Sequence, residues 1–105
     1  SVLPYLEKPY EVMERLLASN VRYIIIDRNP FCNRYADLLT VQTVPESIYK
    51  GNYPTWFFNE SKLLAYVTQQ YEMISTFEPY PGYTIPLGDY VGYYKGFFLK
   101  RNEIQ

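Results

Sequence analysis

An α/β domain is the fold this sequence predicts, and three observations carry the prediction. The amphipathic segment Pro9 to Asn20 runs directly into a β-branched stretch, Tyr23-Ile24-Ile25-Ile26. A second helical segment, starting at Asn59 or Ser61 and running to about Gln69, precedes a strand candidate at Tyr71 to Glu78. A Pro/Gly-rich connection then leads into a last strand candidate, Val91 to Arg101. Helices alternating with strands in this way read as layered α/β structure. At 105 residues the chain has room for one domain, 1–105, and not for two.

The first helix is signalled by Pro9, which suits the opening position because its missing N–H would be unpaired there anyway. Val12, Met13, Leu16 and Leu17 fall on one stripe, with Glu11, Glu14 and Arg15 off it. Asn20 can end the helix in the left-handed conformation. The strand that follows, Arg22 to Asp27, carries three consecutive isoleucines without alternation, so both of its faces ask for burial. Asp27-Arg28-Asn29-Pro30 then reads as its polar terminus, the end at which ligand sites gather in open α/β sheets. Leu38 to Val44 is β-branched and partly alternating, which predicts a short strand. Pro45 to Trp56 reads as a long irregular loop rich in aromatic residues, of the kind that carries function or is tied to a partner surface. In the second helix Leu63, Leu64 and Val67 point inward. The last two strand candidates should pair antiparallel across Pro79 to Asp89. Gly92 and Gly96 inside the final strand predict a bulge or a close backbone approach.

Composition removes several function classes. With 10 basic and 11 acidic residues the net charge is −1, which leaves no excess charge to neutralise nucleic-acid phosphates. No histidine occurs, so no Ser-His-Asp or Cys-His nucleophile system and no histidine metal ligand can be built from this chain. The lone cysteine, Cys32, excludes an internal disulfide and fits a reducing, cytoplasmic compartment; without a histidine to activate it, it reads as a small buried hydrophobe. No apolar run approaches the length of a membrane span. The sequence contains no Gly-rich cofactor fingerprint, no phosphate-binding Gly-Lys-Ser/Thr and no carboxylate cluster at metal-loop spacing.

What remains is an unusual supply of tyrosine, thirteen against six phenylalanines and one tryptophan, suited to amphipathic surfaces and clefts. Asp27 and Arg28 at the strand end form either a local ion pair or a ligand-facing couple. Tyr49, Lys50, Tyr53 and Trp56 either staple the long loop to the core or form a cleft wall whose rings stack on a flat or sugar-like ligand. Tyr90, Tyr93 and Tyr94 read as cross-strand pairing residues.

Several segments also share an order and spacing with one family. These are Ser1-Val-Leu-Pro-Tyr-Leu, Tyr23-Ile-Ile-Ile-Asp-Arg-Asn-Pro-Phe31, Thr40-Val-Gln-Thr-Val-Pro45, Ile48-Tyr-Lys-Gly-Asn-Tyr-Pro54, Trp56-Phe-Phe and Tyr94-Lys-Gly-Phe-Phe98. Over nearly its whole length the chain resembles the C-terminal half of a group of bacterial S-adenosylmethionine-dependent methyltransferases. The resemblance implies the C-terminal half of a Rossmann-like sheet: helix, buried strand, short inserted strand, helix and an antiparallel strand pair, with the last strand lying between two others. It implies S-adenosylmethionine as cofactor of the intact protein, with the glycine-rich loop and the acidic ribose-binding residue outside this chain, which alone should be inactive. It places Tyr5, Asp27, Arg28, Tyr49, Lys50 and Tyr53 on the acceptor side, facing a saccharide or related small acceptor. The competing expectation is a non-catalytic module that stacks carbohydrate or peptide on its Tyr/Trp loop. An incomplete domain should expose apolar surface or a sheet edge and self-associate through it.

Overall fold

A computed structural model describes residues 2–43, 47 and 51–103. A 3-10 turn at Leu3–Tyr5 leads into α1 (Pro9–Ala18), β1 (Tyr23–Cys32), β2 (Leu38–Thr43), β3 (Asn52–Asn59), α2 (Glu60–Val67), β4 (Tyr71–Phe77), β5 (Ile85–Leu87) and β6 (Tyr90–Arg101). The strands form one mixed sheet of six in the order β2-β3-β1-β6-β4, with β5 paired to β6. The chain is thus α/β, as the sequence predicts.

Local chemistry sets the helix ends. Pro9 opens α1, and Asn20 follows it with φ 58°, the left-handed conformation that asparagine adopts more readily than most residues. Asn59 caps α2, its side-chain oxygen accepting the Lys62 N–H at 2.9 Å. Met13 and Leu17 from α1, and Leu63 and Val67 from α2, join Ile24, Ile26, Phe31, Phe58, Tyr71, Phe97 and Leu99 in one core. Both helices therefore lie on the same face of the sheet. Burying some eleven such side chains supplies the main driving force of folding.

That one-sided arrangement corrects the expectation of a doubly buried strand. Ile24 and Ile26 are buried, but Ile25 is 66% exposed on the face without helices, beside Tyr23 and Phe98. Val12 and Leu16, on the outer edge of the α1 stripe, are exposed as well.

The strand also does not end at Asp27-Arg28-Asn29-Pro30. Arg28 adopts φ 49°, and an irregularity falls between Ile26 and Asn29, which pair with Phe97 and Lys95 of β6. A bulge absorbs the extra residue, and the ladder resumes as far as Cys32. Pro30 is tolerated because β1 pairs with β3 only at Phe31 and Cys32, so its missing N–H is not required on that side.

The expected loop from Pro45 to Trp56 is strand from Asn52 onward. β3 forms a hairpin with β2, from Leu38↔Phe57 to Thr43↔Asn52, and its end runs parallel to β1. Trp56 fits the stapling account, its indole N–H donating to the Leu6 carbonyl at 3.1 Å. β4 and β6 pair antiparallel as expected, with β5 as an added ribbon. Gly92 and Gly96 mark close approaches, since a Cβ at Gly92 would strike the Phe57 ring and one at Gly96 the Phe77 ring.

Candidate functional site

A cleft of about 600 Å³ opens where β1 passes its bulge and is lined, among the described residues, by Tyr5, Arg28, Tyr80, Pro81, Tyr83 and Tyr94. Four separate segments meet there. Tyr5 comes from the 3-10 turn and packs edge-on against Tyr53 at the start of β3, with ring centroids 5.8 Å apart. Tyr94 stands on β6 opposite Pro30, on the face away from the helices, because its neighbour Tyr93 stacks on core Phe31.

Tyr80 and Tyr83 are set by a turn. In Tyr80-Pro81-Gly82-Tyr83 the Tyr83 N–H donates to the Tyr80 carbonyl at 3.0 Å, and Gly82 has φ 77°. Proline followed by a positive-φ glycine gives a type II turn, which holds the first and fourth side chains near each other. Tyr80 meets Tyr94 edge-on at 5.6 Å and Tyr83 edge-on at 6.3 Å, while Tyr83 and Tyr94 stack at 6.4 Å. The three rings form one shelf. Burial, followed by the neighbouring hydroxyls of Tyr5, Tyr83, Tyr53 and Tyr80, raises the pKa of Tyr94. Its hydroxyl therefore keeps its proton near neutral pH and serves as a hydrogen-bond donor rather than a base.

Among the described residues Arg28 is the charged residue lining this cleft. Its guanidinium meets the Asp27 carboxylate at 3.1 Å, with both side chains largely in water. An exposed pair of that kind contributes little, about 0–1 kcal/mol, so the contact does not lock Arg28 away from a ligand. The pairing expected of Asp27 and Arg28 is therefore present, and Arg28 faces the cleft as well. Of the other residues singled out in the sequence, Tyr5 lines the cleft and Tyr53 supports it from behind Tyr5. Tyr49 and Lys50 lie outside the described residues. Tyr80 and Tyr83 were not anticipated, although the Tyr-Pro-Gly-Tyr spacing signals the turn that pairs them. Tyr94 was expected only as a pairing residue.

Two other polar groupings are internally paired. Glu60, the first residue of α2, accepts the Tyr93 hydroxyl at 2.7 Å and the Lys95 ammonium at 2.9 Å. Asp37 accepts the Asn59 N–H at 2.7 Å and the Lys62 ammonium at 2.9 Å. Cys32 is buried and free, with its thiol against the Phe57 carbonyl, as a small hydrophobe would be. Among the described residues no three His, Cys, Asp or Glu side chains gather as a metal site would require, and no helix is long and apolar enough to cross a membrane. Compared with known proteins, the chain matches no family model, no curated protein and no solved structure.

Proposed function

We propose that this chain is the acceptor-side part of an S-adenosylmethionine-dependent methyltransferase acting on a saccharide or related small acceptor. The observation that carries the reading is the order β1-β6-β4. β6 runs antiparallel to both neighbours, so β1 and β4 are parallel to each other, and the helices preceding them cover one face together. A last strand running antiparallel between two others supports the family reading, in which β2 would be the inserted strand. The apolar face at Tyr23, Ile25 and Phe98 supports the same reading, because a doubly wound sheet carries helices on both faces.

Among the described residues no cradle for the cofactor is formed by Gly82, Gly88, Gly92 or Gly96. Gly82 and Gly88 sit in turns, Gly92 and Gly96 lie inside β6, and none opens a helix as a nucleotide-binding loop does. This chain's contribution is to seat the acceptor. Tyr80, Tyr83 and Tyr94 provide a ring shelf, Tyr5 closes one side, and Arg28 supplies a directional donor. A seated acceptor with its nucleophilic atom fixed gains rate through orientation, without a base from the tyrosines. A non-catalytic saccharide-binding module is the second reading, favoured by the tyrosine-rich lining of the cleft.

Calorimetric titration of S-adenosylmethionine separates the two readings. Binding is expected in the longer protein that carries this segment and not in the segment alone. Binding in neither rejects the methyltransferase reading in favour of the module. Sedimentation velocity on the isolated chain should show concentration-dependent association through the Tyr23-Ile25-Phe98 face. A monomer at every concentration would mean that this face needs no cover.

A further inference from the structure

We propose that the tyrosine cleft binds a saccharide carrying an anionic group, with the sugar faces on the Tyr80-Tyr83-Tyr94 shelf and the anion on Arg28. The inference rests on the acceptor-side reading and names the substrate class for that same site.

Four features point to this chemistry. Among the described residues the lining is aromatic but not greasy, since each of its rings carries a hydroxyl and its aliphatic member is Pro81. Rings of this kind pack against the apolar C–H face of a pyranose while their hydroxyls reach its oxygens. The hydroxyl of Tyr94 stays protonated, so the wall offers donors to an electron-rich ligand. Among the described residues the charge at the lining is a cation, and its guanidinium is engaged by an exposed carboxylate that a ligand can displace.

Arg28 is also held in a conformation that bulky residues seldom adopt, φ 49°. The bulge turns its side chain out of the regular alternation of β1 and toward the cleft. Such an outlier beside a cleft points to a role for the residue it re-aims. The volume, about 600 Å³, is in the range of small-ligand sites and suits a short oligosaccharide segment.

The anion can be a carboxylate, as in a uronic acid, or a phosphate ester, and the two are tested separately. Tetragalacturonate, its carboxyl-reduced neutral form, maltotetraose and a monophosphorylated maltotetraose would be titrated into the chain while tyrosine ring resonances are followed by NMR. At least one anionic sugar is expected to shift the Tyr80, Tyr83 and Tyr94 rings and to bind about tenfold more tightly than its neutral counterpart, weakening with salt.

Arg28→Asn removes the cation while keeping a residue that accepts positive φ, and it should abolish the anionic preference without unfolding the chain. Tyr94→Ala should weaken neutral and anionic sugars alike. Binding by only one anionic probe assigns the anion. Equal affinity for charged and neutral forms, or no ring shift with any probe, overturns the proposal. The assay needs no cofactor, so a failed S-adenosylmethionine titration with intact sugar binding removes the methyltransferase reading alone. Cofactor binding by the longer protein without any sugar response removes this inference alone.

Discussion

Phe97→Ala is expected to lower the unfolding free energy by about 3–5 kcal/mol, the range found for removing a buried aromatic ring. Phe97 is fully buried on β6, pairs with Ile26 of β1 and Thr76 of β4, and meets Phe31 edge-on at 5.6 Å. It touches both flanking strands and the layer beneath the helices, so no single neighbour can fill the space it leaves. Small domains have only about 5–15 kcal/mol in total, so the variant should unfold at a much lower denaturant midpoint. Urea titration checks this, with an unchanged slope showing that the compactness of the end states is preserved. Ile25→Ala, one position along the partner strand and largely exposed, should change stability by no more than about 0.5 kcal/mol. Equal effects of the two would mean that the helix-bearing face is not the core.

The second large effect is expected at Glu60. Its carboxylate satisfies the Tyr93 hydroxyl and the Lys95 ammonium together, and both charged side chains are about three-quarters shielded from water. Glu60→Ala leaves two half-buried donors without their acceptor, at an expected cost of about 1–3 kcal/mol.

The same group carries a pH signature. Burial first, then the hydrogen bond to Glu60 and its negative charge, push the Tyr93 hydroxyl well above the ordinary tyrosine range. The folded state therefore holds that proton more tightly than the unfolded chain does. This contribution is complete below the unfolded tyrosine pKa of about 10 and is lost as pH rises beyond it. Tyr10, raised by burial and then by the charge of Asp37, acts in the same direction. Thermal melts between about pH 8 and 11.5 should show the wild type losing stability at the alkaline end, with a shallower loss in Tyr93→Phe. Parallel curves for the two proteins would sink the assignment to Tyr93.

The helices could be read before the structure because their signals are local. Pro9, Asn20 and Asn59 act within a turn of their own positions, and each sits where its backbone chemistry suggests. The pairing of β4 with β6 followed from turn residues between two β-rich runs. β3 was hidden because its strand character is relational: Tyr53, Pro54 and Trp56 look like loop residues until β2 lies beside them. Half-burial of the isoleucine run was hidden for the same reason, since three isoleucines cannot say which of their faces a helix will cover. At the site, Tyr5 and Arg28 could be singled out by position along the chain. The shelf could not, because Tyr80 and Tyr83 reach Tyr94 only through the turn at Gly82 and the return of β6.

The left-handed step at Arg28 has a consequence for the whole length of β1. Upstream of it the even-numbered residues Ile24 and Ile26 point to the core; downstream the odd-numbered Asn29 and Phe31 do. The strand changes parity there, and both halves stay in phase with an uninterrupted β6 only because one residue is left over. Deleting any single residue between Ile26 and Asn29 would invert one half, carrying Phe31 out to solvent or the isoleucines away from the helices. Length, more than side-chain identity, is therefore the property that this short stretch must conserve.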